Sequence, residues 1–179
     1  QDDIAVLRLH KDVDLDDGTV KIVELPKGPL KNYANTDASL VGWGMTETED
    51  ASPVPRKVDV TILDRATCTK KYEKFYRTQL CTSTSGPKGA CFGDTGGPLI
   101  VDGVQVGIIS CLEGHAEKSF ARKNCLTEDP ALYTRVDMYK SWIDRALHDK
   151  DFFNKGTKAG SSIVFVVLCS FILLVKFHS

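Results

Sequence analysis

Apolar and polar positions alternate in short bursts along the first 150 residues, the period of strands rather than of helices. Residues 4–9 form one apolar run, and residues 20–25 alternate apolar with charged side chains. Pro26, Gly28 and Pro29 then break the chain, so residues 26–37 read as a linker. Residues 39–45 (SLVGWGM) predict a strand closed by glycine. Val58, Val60 and Ile62 fall on one face of a further strand, with Lys57, Asp59 and Thr61 on the other. Residues 99–101 and 104–106 flank Asp102-Gly103, a pair suited to a two-residue hairpin turn because glycine accepts positive φ. Helical signals occur twice. Asp64 can cap a short helix running through residues 70–75, and Asp137 can cap another in which Tyr139, Trp142, Ile143, Ala146 and Leu147 recur at three- and four-residue spacing. Many short strands with a terminal helix predict an all-β barrel rather than a βαβ sheet.

The pattern changes at the end, where residues 163–175 (IVFVVLCSFILLV) carry no charge. As a helix this run spans about 20 Å, short of a bilayer core of about 30 Å. Extended to residues 159–177 it reaches about 28 Å, with Lys176 snorkelling at its far end. Two readings weigh equally: a single membrane span, or a GPI signal removed near Asn154. A helix lying on the body is a third. All three place the body outside the cytosol.

Composition sharpens this division. At 179 residues, 42% hydrophobic and 26% charged, the chain can hold one domain with a real core. Its 23 basic and 24 acidic residues average an acidic body with a cationic tail, since residues 155, 158 and 176 are all lysines. Basic residues do not interleave with aromatics as a nucleic-acid groove needs, so nucleic acid is excluded as a partner. Disordered and collagen-like chains are excluded as well. The chain starts at Gln1 without Met or signal peptide and runs directly into apolar residues, the expectation for a sequence that begins inside a domain.

The most informative stretch is residues 91–99, CFGDTGGPL. Gly and Pro around Asp94-Thr95 describe a tight loop that can aim the N–H groups of Gly93 and Thr95 at one point, as an oxyanion hole requires. Asp94, among small residues, is expected to be buried and to need a cationic partner. The segment resembles the nucleophile loop GDSGGPL of chymotrypsin- and trypsin-like serine proteases, with Thr in place of Ser. Other segments agree in order and spacing. Asp3 in DDIAVLRL resembles the triad aspartate of DIALLKL, and residues 41–44 (VGWG) resemble SGWG. Ser110 matches the serine after the strand lining the substrate cleft. Residues 130–136 (PALYTRV) and the Trp142 helix resemble PGVYTKV and the terminal helix. The resemblance runs from residue 1 to about 148. It implies a chymotrypsin-like double β-barrel, represented here by the second barrel plus the end of the first. The divisions are 1–37 for the end of the first barrel and linker, 38–150 for the second barrel and helix, and 151–179 for the spacer and anchoring tail. The family's catalytic His precedes the triad Asp, whereas His10, His115, His148 and His178 all follow Asp3. The general base is therefore expected upstream, as is the new N-terminus that pairs with the equivalent of Asp94.

By resemblance, Asp3 orients the base, Thr95 is the nucleophile, and Gly93 and Thr95 form the oxyanion hole. Thr95 keeps the hydroxyl but adds a methyl on the same carbon and restricts χ1. A displacement of about 1 Å can cost about a hundredfold in rate. Familiar threonine nucleophiles use their own N-terminal amine as base, which an internal Thr95 cannot do. Two functions follow: a serine-type endopeptidase with activity weakened or lost, or a non-catalytic homologue acting as a binding, decoy or inhibitor protein. The pocket base falls at Gly89 and its walls at Leu112 and Ala131. Trypsin-like members carry Asp at the Gly89 position, so a preference for Lys or Arg is not expected, and Leu112 would narrow the entrance in favour of small aliphatic side chains.

The resemblance pairs Cys68 with Cys81 and Cys91 with Cys125, and puts Ala38 and Val101 at the two ends of a further family bridge. Cys111 has no family partner; it reads as a free buried thiol or as a rearranged partner of Cys91 or Cys125. Matched bridges imply an oxidising, secretory compartment and the extracellular face of a membrane. Residues 12–18 resemble the opening of a calcium loop, but the glycine is one position late and Val23 stands where the last ligand belongs; they read as a solvated loop. No metal or cofactor is expected. The expected partners are a peptide or protein in the cleft and a membrane through residues 159–177.

Overall fold

A strand needs a partner along at least one edge for an alternating pattern to settle, and six segments of this chain find one on each side. The computed structural model describes residues 2–83, 89–110, 130–149 and 151–152. Within these lie β1 (Thr36–Gly42), β2 (Arg56–Ile62), α1 (Arg65–Lys71), β3 (Gln79–Ser83), β4 (Pro98–Val101), β5 (Val104–Ile109), β6 (Ala131–Arg135), a 3-10 turn (Val136–Tyr139) and α2 (Lys140–His148). The strands close an antiparallel barrel in the order β1-β2-β3-β6-β5-β4. This is an all-β closed barrel with a terminal helix, the arrangement the resemblance implies for the second barrel.

The barrel interior is apolar, with Leu40, Ile62, Leu99, Val106 and Tyr133 among its buried side chains. Tyr133 is fully buried, shares a 3.1 Å hydrogen bond with the Thr82 hydroxyl, and has its phenol pushed up by burial. Ala38 and Val101 lie in the same apolar cluster. The β4–β5 hairpin turns at Asp102 (φ 48°) and Gly103 (φ 80°), the conformation its Asp-Gly pair anticipates.

Both helices differ in detail from expectation. Asp64 caps α1, accepting from the Thr67 N–H at 3.0 Å, but the helix ends at Lys71 rather than continuing through residue 75. Tyr72 turns extended there, and its hydroxyl donates to the Pro130 carbonyl. A Cys68–Cys81 disulfide ties α1 to β3. Asp137 does not cap α2. Arg135 holds its carboxylate with bonds of 2.6 and 2.8 Å inside the 3-10 turn, and Tyr139 occupies the cap position without a side-chain bond. The apolar face of α2 seats Ile143 against Ile108 and Val136, with Ile4 and Leu25 packed alongside.

The strands expected at residues 4–9 and 20–25 do not form. Glu24 makes one isolated parallel bridge to Val104, and Leu7 and Leu9 are exposed. The described residues offer these segments no continuous strand edge, so their pattern has nothing to pair with. No helix among the described residues is long and apolar enough to cross a membrane. The tail at residues 159–177 lies outside them.

Candidate active site

Residues 91–97 form a loop between β3 and β4 whose backbone is pinned at several points. The Asp94 N–H donates to the Cys91 carbonyl (3.0 Å), and the Gly97 N–H donates to the Asp94 carbonyl (2.8 Å). The Gly96 N–H donates to the Ile109 carbonyl (2.7 Å), and Ile109 returns a bond to Gly97 (2.8 Å). Gly93 and Gly96 take φ of 92° and 86°, which a side chain would strain. The N–H groups of Gly93 and Thr95 make no hydrogen bond among the described residues, while those of Asp94, Gly96 and Gly97 are all engaged. The loop thus holds two backbone donors that no described residue engages.

Asp94 is half-buried, and backbone donors hold its carboxylate. Its Oδ1 accepts from the Gly44 N–H at 2.8 Å and its Oδ2 from the Cys91 N–H at 2.9 Å. Among the described residues two backbone dipoles, not a cation, satisfy the carboxylate. This accounts for the VGWG segment, because a Cβ at Gly42 or Gly44 would run into that carboxylate. Gly44, Gly89, Cys91 and Asp94 line one cleft of about 560 Å³.

Asp3 is held on the same end of the barrel. The Ser110 hydroxyl donates to its Oδ2 at 2.6 Å, and the Thr134 hydroxyl donates to its backbone carbonyl at 2.7 Å. Ser110 is buried and anchored by its own N–H to the Leu132 carbonyl (3.0 Å). Consecutive residues at the end of β5 thus fasten two distant pieces of chain, Ile109 the Thr95 loop and Ser110 the Asp3 carboxylate.

Thr95 is half-buried, with no hydrogen bond to its hydroxyl among the described residues. Gly89 lines the cleft beside Asp94, and Ala131 sits in β6 with its side chain in the core. Leu112, Cys111, Cys125, His115 and His178 lie outside the described residues. Cys91 is disulfide-bonded. His10 is exposed, and so is His148, whose Nδ1 lies 3.1 Å from Asp144. Sequence reasoning assigned Ser110 to substrate and missed its bond to Asp3. It missed Thr134 altogether, since a threonine in a strand gives no sign of what its hydroxyl holds.

The family model described as Trypsin matches residues 1–143. Chymotrypsin-2 of Vespa crabro is 32% identical over 148 residues, covering 80% of this chain and 61% of the relative. Trypsin Blo t 3 of Blomia tropicalis is 32% identical over 150 residues, covering 79% and 53%. A solved HL collagenase superposes with a TM-score of 0.65 at 26% identity, covering 76% of this chain and 57% of that one. The chain therefore spans about half to three fifths of the length of these relatives.

Proposed function

This chain belongs to the trypsin family, with a trypsin-like serine protease domain, and from that premise we propose that it works as a slow endopeptidase with Thr95 as its nucleophile. The observation that carries the reading is the anchoring of the Thr95 loop and the Asp3 carboxylate to Ile109 and Ser110, neighbours at one strand end. In the proposed reaction the Thr95 Oγ1 attacks the scissile carbonyl carbon while its proton passes to an imidazole oriented by Asp3. The carbonyl oxygen becomes an oxyanion held by the Gly93 and Thr95 N–H groups. Collapse expels the amine, which takes the proton from the imidazole, and water then hydrolyses the threonyl ester.

The exposed His10 and His148 do not suit the part of general base, which we assign to sequence preceding Gln1. The cleft beside Asp94 suits an ammonium arriving on a new chain terminus, which would add a charge partner to the two backbone donors. Gly89 at the pocket base supplies no carboxylate for a basic side chain, and Leu112 at the wall favours small aliphatic ones. The Cys68–Cys81 disulfide supports an oxidising compartment, and residues 159–177 are assigned to a membrane tether. Treating the full-length protein with a fluorophosphonate and mapping the adduct tests the reading. Modification at Thr95, absent from the Thr95→Ala variant, is the expected result. An unlabelled protein beside a labelled active serine protease would assign it instead to a non-catalytic role as a binding or decoy protein.

A further inference from the structure

A second groove, of about 140 Å³, opens where residues 30–34 meet the start of α1 and the start of β3, and it shares no lining residue with the cleft beside Asp94. Three arginines line it, Arg65, Arg77 and Arg135, and no carboxylate does so among the described residues. The guanidinium of Arg65 lies 5.2 Å from the centre of the Phe75 ring, and its Nη2 donates to the Phe75 carbonyl at 3.1 Å. Arg135 lies 5.5 Å from the centre of Tyr33, its charge already met by Asp137. Arg77 is exposed and makes no hydrogen bond or ion pair among the described residues. The excess of positive charge extends along the chain, with five basic residues against one acidic residue over positions 65–77. The first 150 residues as a whole have the opposite balance, 20 basic and 23 acidic.

We propose that this groove binds an acidic peptide segment of a protein partner, one that sets a carboxylate beside an apolar side chain. The planar guanidinium of Arg77 suits a carboxylate bidentately, and Arg65 adds a second positive charge to the same groove. The apolar part of the lining, from Phe75 and Tyr33 to the half-exposed Leu30, suits the neighbouring apolar side chain. A sulfated polysaccharide would meet the same cations but gains nothing from such an apolar lining. The local positive field on an acidic body also steers an anionic partner to this face. The assignment stands whether or not Thr95 reacts.

Fluorescence anisotropy with the full-length protein tests it. The probe is a fluorescein-labelled hexapeptide alternating glutamate with leucine, compared with a glutamine-for-glutamate version. Binding by the glutamate peptide alone is expected, with affinity lowered about tenfold in Arg77→Glu and severalfold in Arg77→Gln. Lys21→Gln, on the N-terminal arm (residues 2–35, before β1), should leave it unchanged. The milder Arg77→Gln keeps the test valid if charge reversal disturbs folding. Equal binding of both peptides, or no effect of either Arg77 variant, would overturn the proposal. So would a sulfated dextran that binds more tightly than the peptide and loses as much on Arg77→Glu.

Discussion

Residues 20–25 and strand β2 carry the same kind of alternation, yet only one becomes a strand. In β2, Val60 and Ile62 are 7% and 0% exposed, because β1 pairs along its whole length and β3 closes its far end. In residues 20–25, Ile22 is 51% exposed, and the backbone makes one isolated bridge at Glu24. The periods match and the neighbours differ. An alternating pattern records which face a strand would bury; whether it buries anything depends on a sheet edge elsewhere in the chain.

The contrast can be broken most directly by truncating one residue from each region. Ile62→Ala should cost about 2–5 kcal/mol in a denaturant melt, since it leaves a cavity in a closed barrel. Ile22→Ala should stay within about 0.5 kcal/mol. Similar losses for both would mean that the arm is as tightly packed as the barrel. Next in size is the Cys68→Ala/Cys81→Ala double variant, in which the 13-residue separation between the cysteines is no longer bridged. A loss of about 3 kcal/mol is expected, and an unchanged melt would remove the disulfide from the account.

A smaller effect sharpens the point at which arm and barrel join. Ser110→Ala removes the hydroxyl that donates to the Asp3 carboxylate, and about 1–2 kcal/mol should be lost. Limited proteolysis should then cut the first residues of the arm sooner than the barrel; unchanged cleavage would show that Ser110 does not hold it. The smallest effect is on pH dependence. Burial, and then the bond from its hydroxyl to Asp2, push the Tyr139 phenol from 10.0 up to about 12. The folded protein keeps this proton where the unfolded chain has lost it, so the stabilisation is complete below pH 10.0 and disappears as pH rises to about 12. Tyr139→Phe should flatten that alkaline fall, and an identical profile would contradict the assignment.

Local chemistry made the barrel legible. The Asp-Gly turn, the Asp64 cap and the alternation of β2 each depend on residues close in sequence, and each appears where expected. The two missing strands and the early end of α1 depend on distant partners, which no local pattern encodes. The site divides along the same line. A loop rich in glycine between Cys91 and Pro98 announces close backbone approach, and Gly42 and Gly44 give that approach its target. The bond from Ser110 to Asp3 joins residues 107 positions apart, and nothing in either neighbourhood anticipates it. The Gly44 N–H that holds the Asp94 carboxylate lies 50 positions away, and no local pattern announces that bond either.

The central claim is that Thr95 occupies a prepared nucleophile position, slowed by its methyl group and served by an Asp3 that Ser110 holds in place. The rate of fluorophosphonate labelling of the full-length protein tests this when wild type is compared with Thr95→Ser. Removing the methyl should speed labelling by about a hundredfold, and adding Ser110→Ala to that variant should reverse part of the gain. A Thr95→Ser protein that reacts no faster than wild type would contradict the claim.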